Sequence, residues 1–557
     1  MSETDRTQAA AGIVGGAEAA GSAAATVAAV AASDTVVLNP RDQVAIALRD
    51  IPAGETVDWS DGAGVEGTVR ALQDVPRGHK LLIRPVAAGQ HVNKFGYSIG
   101  IAKEDIAAGQ WVHTHNLKTG LGAVLNYTYK PLSEAGGAFA ADSAPGDPPG
   151  GTAAQSASPE TAFPVGQSTF KGYVRDDGEV GIRNEIWIVN TVGCINKTCE
   201  TLARLASRQF EGRGIDGVFH FPHPYGCSQL GDDLTATQKL LAALVRHGNA
   251  AGVLVIGLGC ENNQVDAFKK VIGDYSPERV KFMKSQEVED ELEEGLSLIG
   301  ELVDYAERFT RTEVPLSKLR IGLKCGGSDG FSGITANPLV GRVADAITSV
   351  GGTALLTEVP EMFGAETILM ERAADEAVFG DIVKLVNDFK DYFIRHGQEI
   401  YENPSPGNKD GGITTLEEKS LGCTQKGGHA TVTDVLAYGE PSRKPGLNLV
   451  QAPGNDLVSV TALSAAGAHV VLFTTGRGTP FGGPVPTVKI ATNTQLAARK
   501  KNWIDFNAGR LIEGMSMDAL RDELLAQIVS LASGEKQTNN ERNGFREIAI
   551  FKDGVIL

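Results

Sequence analysis

The sequence predicts a multidomain α/β protein, with a small all-β module near its start and α/β domains with parallel sheets after it. Three observations support this fold class. The chain has 557 residues, which is too many for one hydrophobic core and enough for two to four domains. Short β-like runs separated by turn signals fill residues 35–130. From residue 169 onward, apolar strand-like runs alternate with helical stretches, which is typical of parallel sheets covered by helices.

Two low-complexity segments flank the β module. Residues 1–34 are rich in alanine and have few large apolar side chains, so we predict a disordered tail, with a helix as the alternative. This segment lacks the basic start of a signal peptide, and its apolar run is too short to span a bilayer. Residues 131–168 contain 26 Ala, Gly, Pro or Ser among 38 positions and no Lys or Arg. That composition predicts a flexible linker.

The β module, residues 35–130, is built from short runs such as TVVL, VAIAL, GTVRAL, KLLIRPV and WVHTH. Turn signals such as PAGE, PRGH and AAGQ separate these runs. The segments VAAGQHV at 86–92 and IAAGQWV at 106–112 form a near repeat. We interpret them as one turn-then-strand element used twice.

The remaining 389 residues are too many for a single parallel sheet, and we place a boundary near residue 313, in the polar stretch RTEVPLSK. Residues 169–312 then form a middle α/β domain, and residues 313–557 form a C-terminal α/β domain. Helices are predicted within 286–309 and 371–396. The predicted strands are EIWIVN, GVFHF, VLVIG, LRIGL, TALLTEV, LNLVQA, HVVLFT and EIAIF.

Charge and motif content exclude several classes of function. The net charge is −17, from 51 Lys and Arg against 68 Asp and Glu, which disfavours nucleic acid and anionic membranes as partners. Six cysteines are too few for a disulfide scaffold, so we expect a cytoplasmic protein. The chain has no Gly-Lys dipeptide, and GLGCEN at 257–262 lacks the third glycine of a dinucleotide fingerprint. A nucleotide-dependent enzyme is therefore a weak alternative.

Cysteines follow several of the predicted strands. Because ligands bind beyond the carboxyl ends of parallel strands, these thiols are candidates for iron ligation. Regular spacings of 66 and 65 residues favour one iron site formed by Cys194, Cys260 and Cys325 along one sheet edge. If the boundary near 313 places Cys325 in a second sheet, the site would lie at a domain interface. Cys227 is the reserve thiol ligand. Glu261 and Asp329 are oxygen donors that would suit a single ferrous ion instead. The alternative is that each cysteine is a small buried apolar residue without chemistry.

Histidines are the candidate proton-transfer groups. His79 lies in the turn PRGHK, and His113 with His115 lies in HTHN after a strand. Residues two apart on a strand share a face, so these two imidazoles could bind a metal or move a proton. The alternative is an exposed, solvated pair and a turn histidine without a role.

Two polar, glycine-rich loops in the last domain suit a carboxylate with neighbouring hydroxyls. They are NPSPGNKDGG at 403–412 and TTGRGTPFGG at 474–483. Their candidate substrate-binding residues are Asn403, Asn408, Lys409, Thr475 and Arg477. The alternative is that both are ordinary surface loops.

Longer motifs resemble one known family. GHKLLIRP, KFGYSIGIA and WVHTHN resemble the SAF, or β-clip, domain of altronate and galactarate dehydratases. The later matching segments include HPYGCSQLGDD, VLVIGLGCENNQ, CGGSDGFSGITANP, TEVPEMFGAE, YENPSPGNKDGGITTLEEKSLGCTQK and TTGRGTPFGG. The resemblance covers about 35–130 and 169–557. It implies a β-clip domain, a middle domain involved in dimerisation and a Rossmann-like C-terminal domain.

The resemblance also implies a function. We expect a hydro-lyase that removes water from a sugar acid, converting D-altronate to 2-dehydro-3-deoxy-D-gluconate. The implied cofactor is iron, as Fe²⁺ or an iron–sulfur cluster, with Mn²⁺ as a substitute. His79 and the strand-end cysteines look like machinery shared across the family, whereas His113 and His115 look specific to the altronate branch. The implied partners are a small sugar acid and a second copy of the chain. The alternatives are dehydration of a related acid such as galactarate, or a non-catalytic sugar-acid-binding protein.

Overall fold

A computed structural model describes residues 33–61, 63–122, 126–129 and 168–557 of the chain. The predicted disordered tail, 1–34, and the predicted flexible linker, 131–168, therefore lie almost entirely outside the described residues.

The first described region consists of short antiparallel strands, as the sequence predicts. They are β1 Thr35–Val36, β2 Val44–Ala47, β3 Thr56–Ser60, β4 Glu66–Arg70, β5 Lys80–Leu82, β6 His91–Lys94, β7 Tyr97–Ala102, β8 Trp111–Val112 and β9 Leu117–Lys118. They form three small sheets in the orders β1-β2-β5-β8, β3-β4 and β6-β7-β9. Several strands carry buried aliphatic residues, such as Val44 and Leu82, which build the core of this region.

The near repeat in this region is a structural repeat. Gly89 and Gly109 occupy the same turn position and have φ of 80° and 92°, a conformation that favours glycine. Each turn leads directly into a strand, β6 or β8. The two copies meet where Val86 pairs with Ile106 in an antiparallel bridge.

The middle region contains a parallel sheet covered on both faces. Its elements are β10 Thr169–Val174, β11 Val180–Gly181, β12 Glu185–Asn190, α1 Asn196–Gln209, β13 Gly217–His220, α2 Gly231–Val245, β14 Ala250–Gly257, α3 Val265–Ile272, β15 Val280–Lys284 and α4 Glu291–Ala306. The parallel strands lie in the order β13-β12-β14-β15. Strand β12 is buried throughout: Ile186 packs with Leu202 of α1 on one face, and Trp187 packs with Leu241 of α2 on the other.

The chain leaves the middle region through β16 Thr312–Pro315, which pairs antiparallel with β10. The predicted boundary near residue 313 falls inside this strand. The next strand opens a second sheet.

The last region holds seven parallel strands in the order β19-β20-β18-β17-β21-β22-β23. They are β17 Arg320–Cys325, β18 Thr353–Leu356, β19 Val432–Leu436, β20 Gly446–Val450, β21 Val470–Thr475, β22 Thr487–Ala491 and β23 Phe506–Asn507. The helices are α5 Ala336–Ser349, α6 Glu366–Met370, α7 Glu376–Arg395, α8 Pro406–Asp410, α9 Leu416–Thr424, α10 Asp456–Ala465, α11 Thr494–Arg499, α12 Met517–Ala532 and α13 Asn539–Asn543. The predicted Rossmann-like architecture is confirmed.

Both helices that the sequence predicts are present, as α4 and α7, and each begins at an aspartate that caps it. Asp290 accepts hydrogen bonds from the first backbone N–H groups of α4, and Asp375 accepts one in α7. Such caps satisfy N–H donors that the helix itself leaves unpaired.

The predicted strand EIAIF, residues 547–551, is wrong. Its apolar Ile548 and Ile550 are buried in the core, but its backbone does not pair with a strand. The N–H of Glu547 donates to the carbonyl of Gly482 at 2.9 Å, and the N–H of Phe551 donates to the Tyr438 hydroxyl at 2.9 Å. Burial made this run look like a strand, whereas its hydrogen bonds go to a loop and a side chain.

A matched pair of glycine substitutions tests the packing of the last region. Gly341 lies inside α5, and an added Cβ would stand 2.2 Å from the Gln425 carbonyl oxygen. We expect Gly341→Ala to lower the free energy of unfolding by about 1–3 kcal/mol through overpacking. Gly380 lies inside α7 with open space around it, so Gly380→Ala should raise the free energy of unfolding by about 0.5–1 kcal/mol. Chemical denaturation measures both; stabilisation by both substitutions would contradict the close approach.

Candidate active site

A buried ion cluster joins the N-terminal β region to the last region. The Nζ of Lys80 lies 2.8 Å from Glu418 Oε2, and the Nζ of Lys94 lies 2.8 Å from Glu418 Oε1. Lys80 also donates to the Gly412 carbonyl at 2.7 Å. Burial alone would raise the pKa of Glu418, but the two ammonium groups hold it at about 2. The carboxylate is therefore charged and fixes the β region against α9.

His79 packs beside this cluster with both ring nitrogens engaged. The indole N–H of Trp111 donates to His79 Nδ1 at 3.2 Å. Since indole only donates, His79 carries its proton on Nε2, which faces the Asp410 carbonyl oxygen at 3.3 Å. Burial lowers the pKa of His79. The ring is thus neutral and held between two partners.

His113 is placed differently. Its Nδ1 lies 3.0 Å from the Thr414 hydroxyl, and its ring stacks on Trp111 with centroids 5.3 Å apart. Burial, with a contribution from Lys80, lowers the pKa of His113 to about 4. Among the described residues, Nε2 of His113 has no hydrogen-bond partner. A neutral imidazole with a free Nε2 lone pair can accept a proton.

His115 does not share a strand face with His113, and that prediction is wrong. Strand β8 ends at Val112, and HTHN forms a turn instead. The side chain of Asn116 accepts a hydrogen bond from the N–H of His113 at 3.0 Å, which closes the turn. As a result His113 is buried and His115 is exposed.

A second cluster, of two thiols and a carboxylate, lies at the carboxyl end of β17. The sulfur of Cys325 is 3.3 Å from that of Cys423, and Glu361 Oε2 lies 3.4 and 3.1 Å from the two sulfurs. In the described part of the chain, this is the one group of three Cys, His, Asp or Glu residues whose ligand atoms all lie within 4.8 Å of one another. Cys423 and Glu361 were not predicted from the sequence.

Buried lysines surround this thiol pair: Lys324, Lys419 and Lys426. Lys426 Nζ donates to the sulfur of Cys325 at 2.9 Å, and Lys419 Nζ lies 2.8 Å from Glu361 Oε1. Burial would raise the pKa of Glu361, but these ammonium groups hold it far below its usual range. Glu358 pairs with Lys426 at 2.9 Å, and Asp456 lies 3.0 Å from Lys324. Three carboxylates therefore balance the three ammonium groups around the thiol pair.

The predicted substrate loop 403–412 lies against this buried ion cluster. Lys419 donates to the side-chain oxygens of Asn403 at 2.9 Å and of Asn408 at 3.1 Å. Asn403 also donates to Glu361 at 3.2 Å. Lys409 is half-buried in α8. The structure thus brings Asn403 and Asn408 together at the site.

The second predicted loop, 474–483, follows β21, the neighbour of β17. The buried hydroxyl of Thr475 accepts a hydrogen bond from the N–H of Gly478 at 2.8 Å. Arg477 is exposed, and its N–H donates to the Gly327 carbonyl at 3.0 Å. Both loops therefore lie at the carboxyl edge of the seven-stranded sheet, where ligands bind in such folds.

An internal cavity connects these groups. Its lining includes Lys94, Ser328, Asp329, Lys419 and Cys423. Its volume is about 10 Å³, which is room for about one water molecule.

The cysteines predicted to share one iron site lie in two sheets. Cys194 and Cys260 follow β12 and β14 of the middle sheet and are exposed, whereas Cys325 ends β17 of the other sheet and is buried. The expectation that all three lie along one sheet edge is wrong, because the chain crosses through β16 into a new sheet before Cys325. Their regular spacing reflects two sheets with similar strand–helix units.

No helix in the described parts of the chain is long and apolar enough to cross a membrane.

Comparison with known proteins identifies the family. Three family models match in succession: the altronate/galactarate dehydratase SAF domain over residues 33–120, the D-galactarate dehydratase/altronate hydrolase second domain over 172–307, and the D-galactarate/altronate dehydratase C-terminal domain over 316–556.

Full-length relatives agree with the family models. Altronate dehydratase of Escherichia coli is 53% identical over 93% of this chain and 98% of its own length. Altronate dehydratase of Bacillus subtilis is 49% identical over 93% of this chain and 99% of its own length. Galactarate dehydratase of Escherichia coli is 31% identical over 92% of this chain and 96% of its own length. The chain belongs to the altronate/galactarate dehydratase family.

Proposed function

We propose that this protein is an altronate dehydratase, which converts D-altronate to 2-dehydro-3-deoxy-D-gluconate and water. The observation that carries the proposal is the identity of 53% and 49% to two altronate dehydratases along nearly their full lengths. The buried lysines and the neutral His113 supply the groups that this reaction needs.

The reaction removes the proton from C2 and the hydroxyl from C3 of the acid. Loss of a proton beside a carboxylate creates a dianionic, enediolate-like species, which needs positive charge close to it. Lys419 and Lys426 supply such charge at the carboxyl edge of the seven-stranded sheet. Asn403, held by Lys419, offers its amide group to the substrate hydroxyls. Asn408 holds the loop in place, since its amide donates to the Ser328 carbonyl at 2.9 Å. Departure of the C3 hydroxyl as water leaves an enol, which becomes the 2-keto product.

His113 is the base in this proposal. Burial lowers its pKa to about 4, so it is neutral and ready to accept the C2 proton at pH 7. Thr414 holds Nδ1, which leaves Nε2 for the substrate. His79, with both nitrogens occupied, positions Trp111 and thereby the ring of His113.

Iron is the proposed cofactor, in keeping with the cysteine content of the family motifs. Thiolates are suitable ligands for iron, alone or in a cluster. When bound, iron would polarise the departing hydroxyl of the acid. The Cys325–Cys423 pair fits a cation poorly because Lys426 already contacts the Cys325 sulfur.

A substrate comparison tests the proposal. Protein prepared without oxygen and supplied with ferrous iron should form a 2-keto acid from D-altronate with a kcat/KM at least tenfold above that for galactarate. Galactarate is the second candidate because galactarate dehydratase is 31% identical over 92% of this chain. A higher kcat/KM for galactarate would transfer the assignment to that acid. Tight binding of either acid without turnover would favour a sugar-acid-binding protein.

We further propose that the protein works in the cytoplasm as a homodimer. Six free cysteines without a disulfide among the described residues suit a reducing compartment. Light scattering of the purified protein would give the mass directly, and a mass of one chain would contradict the dimer.

A further inference from the structure

Two of the cysteines form a buried pair to which the proposed reaction gives no role. Cys325 ends β17, and Cys423 lies in the last turn of α9, 98 positions along the chain. Their sulfurs are 3.3 Å apart, and their side chains are 2% and 4% exposed. A disulfide bond is about 2.05 Å long, so the sulfurs need to come only about 1.3 Å closer to be bonded.

A positive charge lies beside one sulfur of the pair. The Nζ of Lys426 donates to the Cys325 sulfur at 2.9 Å and also contacts Glu358 at 2.9 Å. Burial would lower the pKa of Lys426, but these two negative partners hold it well above its ordinary value. The amine is therefore an ammonium group. An ammonium group next to a sulfur stabilises the thiolate, which is the nucleophilic form of cysteine.

The other sulfur has a base within reach. Its hydrogen bond with Cys325, together with burial, raises the pKa of Cys423 well above its ordinary value, so Cys423 keeps its proton. Glu361 Oε2 lies 3.1 Å from the Cys423 sulfur and 3.4 Å from the Cys325 sulfur. The pair thus combines a sulfur beside a cation with a protonated thiol beside a carboxylate. Disulfide formation needs these two unlike partners in turn.

A small polar molecule has room next to the pair. The internal cavity, which holds about one water molecule, has Cys423, Lys419 and Ser328 in its lining. The hydroxyl of Ser328 is buried and has no hydrogen-bond partner among the described residues. It can donate to an oxygen in the cavity. Hydrogen peroxide is little larger than water, so it suits this space, whereas a bulky oxidant does not.

We propose that Cys325 and Cys423 are an oxidation site, at which a peroxide converts the two thiols to a reversible disulfide. This inference goes beyond the proposed function and does not depend on it. Disulfides in a reducing compartment are usually transient and redox-sensing, which suits a buried pair that is reduced at rest.

The oxidation takes two balanced steps. The Cys325 thiolate attacks one peroxide oxygen; an S–O bond forms, the O–O bond breaks, and the other oxygen takes a proton and leaves as water. The sulfur loses the two electrons that the peroxide gains. Cys423 then gives its proton to Glu361 and attacks the oxidised sulfur. An S–S bond forms, the S–O bond breaks, and the second oxygen leaves as water with that proton.

The disulfide would alter the site that the proposed function uses. Helix α9 also carries Lys419, which donates to Asn403 at 2.9 Å, and Glu418, which docks the β region. Drawing Cys423 onto Cys325 displaces the end of this helix and removes the sulfur partner of Lys426. We therefore expect the oxidised protein to lose activity and to regain it after reduction.

Peptide mapping after mild oxidation tests the site. Purified full-length protein is treated with hydrogen peroxide at neutral pH, denatured with a maleimide present, digested and analysed by mass spectrometry. Most of Cys325 and Cys423 should be found in one pair of joined peptides, and dithiothreitol should return both to thiols. Recovery of both as free thiols, while the exposed Cys194, Cys227 and Cys260 are oxidised, would overturn the proposal.

A variant and an internal control sharpen this test. In Cys423→Ser the oxidised Cys325 has no thiol to condense with. Its peptide should instead gain two oxygen atoms as a sulfinic acid, which dithiothreitol does not reverse. Cys199 is buried in α1, and burial raises its pKa to about 12, so it should stay a thiol at the same dose. Equal oxidation of Cys199 and Cys325 would contradict an activated sulfur at Cys325.

Turnover separates this inference from the proposed function. After peroxide is removed and ferrous iron is added, turnover of D-altronate should fall in proportion to the joined peptides and return with dithiothreitol. A disulfide that leaves turnover unchanged would overturn its effect on the site. Reduced protein that never turns over altronate would overturn the proposed function, and the peptide map would still decide the oxidation site.

Discussion

Replacing Glu418 by glutamine is expected to lower the free energy of unfolding by about 3–5 kcal/mol, the usual cost of leaving a buried charge without its partner. Lys80 and Lys94 both contact this carboxylate and are buried with it. Glutamine keeps the shape of the side chain but removes its negative charge. The two ammonium groups would then face each other without compensation.

Urea unfolding at pH 7 measures this effect, and an exposed ion pair provides the control. Asp388→Asn breaks the surface pair with Lys384 in α7 and should cost at most about 0.5 kcal/mol. A loss below about 1 kcal/mol for Glu418→Gln would contradict the role of this cluster in docking the β region.

The Glu418 carboxylate also makes the free energy of unfolding depend on pH. Its pKa is about 2 in the folded protein against an ordinary 4.5. The contribution of Glu418 is therefore fully present above about pH 4.5 and is lost as the pH falls toward 2. The difference between wild type and Glu418→Gln should shrink over that acidic range.

Replacing His113 by glutamine is expected to lower kcat by about 10²–10⁴-fold, the usual contribution of a positioned general base. KM should change much less, because the lysines and asparagines that bind the acid remain. The matched control is His91→Gln, since His91 is exposed on β6 and its ring bonds the Ser98 hydroxyl at 2.7 Å. That variant should keep near-normal turnover.

The pH dependence of kcat/KM distinguishes a general base at His113 from an imidazole with only a structural role. The reactive form of His113 is neutral, and its pKa is about 4. In the wild type, kcat/KM should therefore stay level from neutral pH down to about 5 and fall as the pH drops through 4. A fall centred near the ordinary histidine pKa, or equal losses in His91→Gln and His113→Gln, would contradict this assignment.

The sequence predicts the fold well because its signals are local. Alternating apolar runs and helical stretches indicated the parallel sheets, and the AAGQ repeat indicated paired turns in the β region. The prediction of a strand at EIAIF failed because its apolar side chains are buried in the core although its backbone pairs with no strand. The prediction that HTHN continues a strand failed because Asn116 closes a turn there. The preceding residues, Trp111 and Val112, are typical of strands and do not indicate the turn.

The candidate site was harder to predict because its members come from distant segments. Cys325 ends a strand, and that position made it a candidate. Glu361 and Cys423 reach the same point from a short turn and from α9, and no spacing rule links them. The expectation that Cys194, Cys260 and Cys325 lie along one sheet edge failed for a related reason. Two parallel sheets have the same sequence pattern, and the pattern does not mark where the chain crosses from one sheet to the other.

The lysines of the site also govern how the protein reacts with amine-directed reagents. Lys80, Lys419 and Lys426 are buried, whereas Lys197 and Lys384 are 90% and 71% exposed. Burial lowers the pKa of Lys80 to about 8, which would make its amine nucleophilic if a reagent could reach it. Coupling to an aldehyde resin or an active ester should therefore modify surface lysines first and leave the site intact. Labelling of Lys80 would then report that the β region has separated from the rest of the chain.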